Sequence, residues 1–290
     1  MWIENKIERS VLYLLAPLCP TWCSRYLYRR FMGTPLDLRN PRTLNEKLMW
    51  LKLNVYQNNE LVSQCADKLR VREYVRECGY ESILNDLYGS WDRPQDIPWD
   101  RLPASFVLKC NHASGFNLLC PDASSIDRIQ AMHKLQGWLA RDYWRFLAEV
   151  QYRSIPKKVI AERFLGNGAP LVDYKLYCFN GEPLYVLACT GRTATNKPAF
   201  YFFDQAWHLC RLTRDGQEAP EDFTLPRPPH LDTMLECART LSAPFPFVRA
   251  DFYDVDGRLY FGELTFTPAA ALDINRLPQT DRMFGDLLHL

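Results

Sequence analysis

A charged side chain inside an apolar strand is costly unless it is paired or holds a ligand, and four short runs of this sequence carry such charges. Phe106-Val107-Leu108-Lys109-Cys110 leads into Asn111-His112-Ala113-Ser114-Gly115. A lysine at that strand end, with loop N–H groups and a hydroxyl beside it, suits phosphate oxygens, or else forms a solvated strand edge. In Val159-Ile160-Ala161-Glu162-Arg163-Phe164 the carboxylate of Glu162 interrupts an apolar run, and it suits an adenine amino group, a ribose or a salt bridge. Strand alternation puts Asp173, Lys175 and Tyr177 on one face of the third run, and Arg249 with Asp251 on one face of the fourth, Phe247–Tyr253. The returning run Leu259–Thr265 carries Glu263, and two carboxylates on adjacent strands suit Mg²⁺, which takes hard oxygen ligands.

Whether those carboxylates meet depends on register. A two-residue loop at Asp256-Gly257 sets Asp251 opposite Gly262 and sends Glu263 to the other face, so a shared metal site needs an odd-numbered loop or a bulge. The same hairpin holds a competing signal. Asp254-Val255-Asp256 is a D-x-D triplet of the kind that binds a divalent metal and a sugar-nucleotide diphosphate, although aspartate is also expected at an exposed turn for its local backbone hydrogen bonds.

The elements that position these residues are mixed. Thr43 followed by Glu46 reads as a capping box opening a helix with Leu44, Leu48 and Leu51 on one face, within a helical region over residues 1–60. Apolar spacing predicts further helices over Asp67–Cys78, Ile126–Trp144 and Leu231–Leu241. Strands are expected at Phe106–Cys110, Lys158–Phe164, Val172–Phe179, Pro183–Cys189, Ala199–Phe203, Phe247–Tyr253 and Arg258–Thr265. Asn180-Gly181 and Asp256-Gly257 lie between successive strands, the pattern of antiparallel hairpins. The class is therefore α+β, and neither G-x-G-x-x-G nor G-x-x-x-x-G-K-S/T occurs.

At 290 residues the chain has room for two domains, and a net charge of +1 gives no global field for nucleic acid. Its 10 cysteines are scattered without a C-x-x-C pair, which reads as free thiols in a reducing cytoplasm rather than a zinc site. The longest uncharged stretch, Ser10–Ser24, is broken by Pro17 and Pro20 and is too short to span a bilayer. Lys6, Arg9, Arg25, Arg29 and Arg30 flank it, which fits either a buried N-terminal helix or peripheral docking on an anionic membrane face.

Taken in order, N-P-R-T-L-N-E-K-L-M-W-L-K (40–52), A-D-K-L-R-V-R-E-Y-V (66–75), F-V-L-K-C-N-H-A-S-G (106–115), V-I-A-E-R-F (159–164), D-Y-K-L-Y-C-F-N-G (173–181) and the run from Phe245 to Phe266 resemble the TupA-like branch of the ATP-grasp superfamily. The resemblance implies an ATP-grasp fold: an N-terminal helical segment over 1–60, a lid subdomain over 61–165 and a metal-binding catalytic subdomain over 166–290. It also implies ATP and Mg²⁺, and a carboxylate–amine ligase working through an acyl-phosphate on bacterial surface polysaccharide, with a carboxylate-bearing saccharide and an amino acid as partners. Proteins of this branch are often labelled glycosyltransferases.

By the same resemblance Lys68, Lys109, His112, Ser114 and Gly115 hold phosphates, Glu162 the adenosine side, and Asp173 with Lys175 the phosphates or ribose. Asp251, Glu263 and Thr265 would bind Mg²⁺, Thr265 standing where most ATP-grasp ligases have Asn. Arg249, with Lys175, would meet the developing negative charge in catalysis. Pro268-Ala269-Ala270-Ala271 replaces a glycine-containing P-G-S-G-like segment. Alanine resists positive φ, so this loop is expected to hold back from the γ-phosphate, which keeps open an inactive nucleotide-binding homologue beside the ligase and the D-x-D glycosyltransferase.

Overall fold

The computed structural model describes residues 3–166, 171–191 and 197–290, so the first two residues of the expected N-terminal helical segment lie outside the described residues. The chain begins with α1 (Lys6–Leu15), α2 (Pro20–Met32), α3 (Leu44–Asn54), α4 (Glu60–Ala66) and α5 (Val71–Glu77). The α3 capping box is complete: Glu46 N–H donates to Thr43 Oγ1 at 3.2 Å, and Thr43 N–H donates to Glu46 Oε2 at 3.0 Å. The helix expected from Asp67 starts four residues late. Asp67 Oδ1 accepts from the Leu69 and Arg70 amides, so Asp67–Arg70 forms a turn that carries Lys68 out of the helix.

Next come β1 (Leu87–Trp91), β2 (Phe106–Cys110), β3 (Asn117–Cys120), α6 (Arg128–Leu139) and β4 (Val159–Arg163). These strands form an antiparallel sheet in the order β1-β4-β2-β3. Alternation divides it cleanly: Phe106, Leu108, Cys110, Val159 and Ala161 pack with Leu135 of α6 in a small core, so Lys109 and Glu162 fall on the opposite face. Sequence patterning misses β1 and β3, the short edge strands with one neighbour each, and β1 also carries a central glycine, Gly89. The predicted helix to Trp144 stops at Leu139, and the chain then runs irregularly toward β4.

The remainder supplies β5 (Asp173–Phe179), β6 (Glu182–Thr190), β7 (Ala199–Phe203), β8 (Leu209–Cys210), α7 (Arg214–Glu218), α8 (Leu231–Ser242), β9 (Phe247–Val255), β10 (Arg258–Thr265) and α9 (Pro278–Leu287). A second antiparallel sheet has the order β10-β9-β5-β6-β7-β8. Residues of α8 pack with it, and Phe284 of α9 packs against Tyr177, Phe179 and Phe202. This larger core also takes in Val62–Leu84 and Trp144–Ile155, whereas the small core runs from Ile97 to Ala161. The division between the two cores therefore falls inside the 61–165 segment rather than at its ends.

The N-terminal stretch is only half covered. Leu12, Ala16, Leu27 and Tyr28 are buried, but Ile7 (76% exposed), Val11, Leu14 and Leu18 (81%) form an open ridge that continues through Trp22 and Tyr26. The first two helices are thus buried on one side, as the uncharged stretch suggested, and exposed on the other. Among the described residues no helix is long and apolar enough to cross a membrane.

Candidate active site

The hairpin β9–β10 uses the two-residue turn, with Arg258 opposite Val255 and both Asp256 (φ 51) and Gly257 (φ 75) in the left-handed region. A bulge at Gly262 then restores the phase, so that Glu263 stands opposite Asp251 and Thr265 opposite Arg249. Glycine suits the position, because a Cβ would come 3.0 Å from the Asp251 carbonyl oxygen, a tight contact with backbone. Of the two devices that could bring the carboxylates together, the fold employs the bulge and not the odd-numbered loop.

On the next strand Lys175 stands opposite Asp251 and Tyr177 opposite Arg249. The result is one charged face across β10, β9 and β5. Arg249 grips Asp251 through two hydrogen bonds, Nε to Oδ1 at 2.7 Å and Nη2 to Oδ2 at 2.6 Å, and donates to Thr265 Oγ1 at 3.1 Å. Lys175 Nζ lies 2.5 Å from both Asp173 and Asp251. Lys68, freed by the Asp67 turn, reaches Glu263 at 2.8 Å. From the first sheet, Lys109 pairs with Glu162 at 2.6 Å, and Arg72 stands 3.6 Å from the same carboxylate.

Electrostatics follow from this packing. Burial disfavours ionisation of Glu263, yet Lys68, Arg249 and Lys175 outweigh it and hold the carboxyl well below the usual range. Burial would lower Arg249, but Asp251 and its hydrogen bonds keep the guanidinium firmly protonated. For Asp173 burial prevails and raises the carboxyl despite Lys175.

A cavity of about 360 Å³ opens against this face. Ser114 and Gly115 contribute from the β2–β3 loop, Arg249, Glu263 and Thr265 from the second sheet, and Thr267, Ala269 and Ala270 from the following turn. Its remaining wall is the irregular segment before β4, with Tyr143, Glu149 and Tyr152, none of which the sequence patterning singled out. Glu149 follows Ala148, whose φ of 52 is unusual for a residue with a Cβ. Burial pushes the Glu149 carboxyl up to about 7, against hydrogen bonds from Thr267 and Tyr143 and the attraction of Lys52, itself fully buried and lowered to about 8.

His112 is not on the cavity wall. Its ring is buried beside Phe116 with Nε2 3.2 Å from the Arg141 carbonyl, and burial lowers it to about 4, so it stays neutral and offers no cation to a phosphate. Asn111 instead organises the loop: it donates to Asp67 and to the Pro156 carbonyl, and accepts from Lys158 N–H, joining the Lys68 turn to β2 and β4. The three alanines defy expectation. Ala269, Ala270 and Ala271 have φ of 50, 57 and 60, and each left-handed alanine costs roughly 1–2 kcal/mol, so the turn takes the glycine-like conformation at a strain the surrounding core must offset.

The D-x-D carboxylates do not converge. Asp254 is not at an exposed turn: its side chain is 6% exposed and accepts from the backbone N–H of His230, the N-cap of α8, with Oδ1 2.9 Å from that ring, while Asp256 forms the hairpin turn. Among the described residues no three His, Cys, Asp or Glu side chains form a metal cluster. Two carboxylates and a hydroxyl on one face, Glu263 and Thr265 open to the cavity, nevertheless fit a Mg²⁺ ion that arrives with phosphate oxygens.

The TupA-like ATPgrasp family profile matches residues 46–289. The chain belongs to the TupA-like ATP-grasp family. Its two antiparallel sheets, with a cavity between the β2–β3 loop of the first and the charged face of the second, are the ATP-grasp architecture in this chain. No curated protein matches it in sequence. Distant likenesses among solved structures include an L-amino acid ligase from Bacillus licheniformis, at 14% identity and TM-score 0.47, over 89% of this chain and 55% of that one. D-alanine–D-alanine ligase from Bacillus anthracis complexed with ATP shares 16% identity at TM-score 0.46, over 77% and 61%. N5-carboxyaminoimidazole synthase from Aspergillus clavatus, in complex with ADP, shares 11% at 0.41, over 70% and 44%. The TupA-like chain thus spans less than two thirds of the length of each of these proteins.

Proposed function

We propose that this TupA-like protein is an ATP- and Mg²⁺-dependent carboxylate–amine ligase of bacterial surface polysaccharide synthesis, joining a uronic acid to an amino acid through an acyl-phosphate. The observation that carries the reading is the set of cations held around one cavity face by carboxylates that would otherwise serve a metal: Lys68 on Glu263, and Lys175 with Arg249 on Asp251. On nucleotide binding, phosphate oxygens would become the partners of Lys68, Lys109 and Lys175, leaving Asp251, Glu263 and Thr265 to hold Mg²⁺, which supplies neutralisation of phosphate charge. Ser114 and Gly115 close over the phosphates from the lid sheet, and Glu162 faces the adenosine side. Arg249 then lies where the oxyanion of the attacked carbonyl develops.

The test is release of ADP and phosphate from ATP with a panel of uronic acids and amino acids, beside sugar-nucleotide hydrolysis. Consumption of a sugar nucleotide alone would assign the protein to the glycosyltransferases. Lys109→Ala is expected to weaken Mg-ATP binding by about 1.5–3 kcal/mol, the range for a charge-assisted contact. Unchanged affinity by calorimetry in the folded variant would remove Lys109 from the nucleotide site.

The exposed ridge favours a place of work as well. Ile7, Val11, Leu14, Leu18 and Trp22, with Lys6, Arg25, Arg29 and Arg30 exposed around them, match an amphipathic surface lying on an anionic bilayer, at the inner face of the membrane in a reducing cytoplasm. The protein is expected to sediment with phosphatidylglycerol vesicles and not with phosphatidylcholine ones, and Leu14→Ser with Leu18→Ser to abolish the effect. Equal recovery in the supernatant with both lipids would rule out docking.

A further inference from the structure

Two carboxylates line the cavity, and they differ in a telling way. Glu263 is paired with Lys68. Glu149, 5% exposed, has no Lys, Arg or His nitrogen within 4 Å among the described residues. It receives a hydrogen bond from Thr267 Oγ1 at 2.8 Å, and the Tyr143 hydroxyl favours its charged form, whereas a carboxylate has room for about four hydrogen bonds. Lys52 lies behind it, its Nζ on the Leu147 carbonyl at 3.5 Å, and favours the negative charge without contacting it.

The surroundings of Glu149 select the sign of its partner. Tyr143, Phe146 and Tyr152 line the same wall, and aromatic faces attract cations. A phosphate or carboxylate would be repelled by Glu149 in its ionised form, whereas an ammonium group would favour that form and supply an ion pair and further hydrogen bonds. Thr267 ties this niche to the alanine turn: it donates to Glu149 and accepts from Gln151 at 2.7 Å, and Ala269 and Ala270 follow it on the cavity wall.

We infer that Glu149, with Tyr143 and the aromatic wall beside it, is the subsite for the ammonium group of an amine substrate. The inference rests on the ligase reading for its role and assigns the second half of that reaction to a place: the nucleotide and carboxylate meet the sheet cations, and the amine enters beside Glu149 in the same cavity. It also favours an acceptor that carries an ammonium group over a neutral one, since only a cation gains an ion pair with Glu149.

Two separate measurements keep this inference apart from the ligase reading. Trapping with hydroxylamine in the wild type, with Mg-ATP and a uronic acid panel, tests acyl-phosphate formation and does not depend on Glu149 being assigned correctly. Amine binding is measured directly, by saturation-transfer NMR with the common L-amino acids and ethanolamine as the probe set. Wild type is expected to bind at least one of them, and Glu149→Gln to weaken that binding by about tenfold or more while Mg-ATP affinity stays as it was. Tyr143→Phe keeps the ring, removes the hydroxyl that favours the charged form of Glu149 and is expected to weaken amine binding severalfold. It decides the matter should the Gln variant fail to fold. Equal amine binding in the variants, no amine binding by the wild type, or a loss of Mg-ATP affinity in place of amine affinity would each overturn the assignment.

Discussion

Glu263→Gln is expected to lower ATP turnover by about a hundredfold or more, because it keeps the shape of the side chain and removes a charge needed where a metal neutralises phosphate. The fold sharpens the expectation. Glu263 faces the cavity while Asp251, 2% exposed in its side chain, is already gripped by Arg249 and Lys175, so Glu263 is the carboxylate an incoming ion meets first. Asp254→Asn provides the contrast. Asp254 faces α8 and holds the His230 ring and backbone, so its loss is expected to cost about 1–2 kcal/mol of stability with turnover retained by the molecules that fold. Steady-state ADP release and thermal melts on both variants separate the outcomes. Turnover abolished by Asp254→Asn and spared by Glu263→Gln would sink the ligase assignment.

The second large effect is structural. In α9, Gly285→Ala would on helix propensity stabilise the protein by up to about 1 kcal/mol. At this position a Cβ would overlap the Arg42 carbonyl oxygen and come 2.8 Å from Thr43 Cα, at the capping box of α3. Lys47 Nζ ties the same contact, donating to the carbonyls of Gly285 and Leu288 at 2.7 Å each. Because the obstruction is backbone, the helices must separate, and a loss of about 3 kcal/mol is expected, lowering Tm by roughly 5–10 °C. Gly137→Ala in α6 is the control, since its Cβ would meet nothing within 4 Å, and it is expected to raise stability by about 0.5–1 kcal/mol. A Gly285→Ala melt equal to wild type would mean that α3 and α9 do not approach this closely.

Much of the site was legible one strand at a time. Period-two alternation alone assigns Arg249 with Asp251, and Asp173 with Lys175, to common faces, since successive side chains of a strand must point opposite ways. The capping box at Thr43 and Glu46 and the turns at Asn180-Gly181 and Asp256-Gly257 were equally readable, because each is closed by hydrogen bonds or φ preferences within a few residues. The six ordered motifs pointed to the family by the same local means. His112 shows the limit: the resemblance put it among the phosphate ligands, but a loop sequence does not say which side of the chain will be buried.

Which of these faces meet depends on packing between distant parts of the chain. Glu263 joins Asp251 through a bulge at Gly262, a feature that depends on how close another strand's carbonyl comes and leaves no periodic trace. Lys68 reaches Glu263 because Asp67 is drawn to Asn111, 44 residues away, and the turn it forms delays the start of the helix until Val71. The alanine turn is left-handed against its intrinsic preference, and Glu149 enters the cavity from a segment with no regular pattern. The family, most of the longer elements and the shared face of neighbouring charges on one strand could be read from the residues alone, since those follow from bonds and spacings inside a few residues. The cavity, its pairing of charges and its unpaired carboxylate were decided by contacts between residues far apart in the chain, whose energies no local pattern encodes.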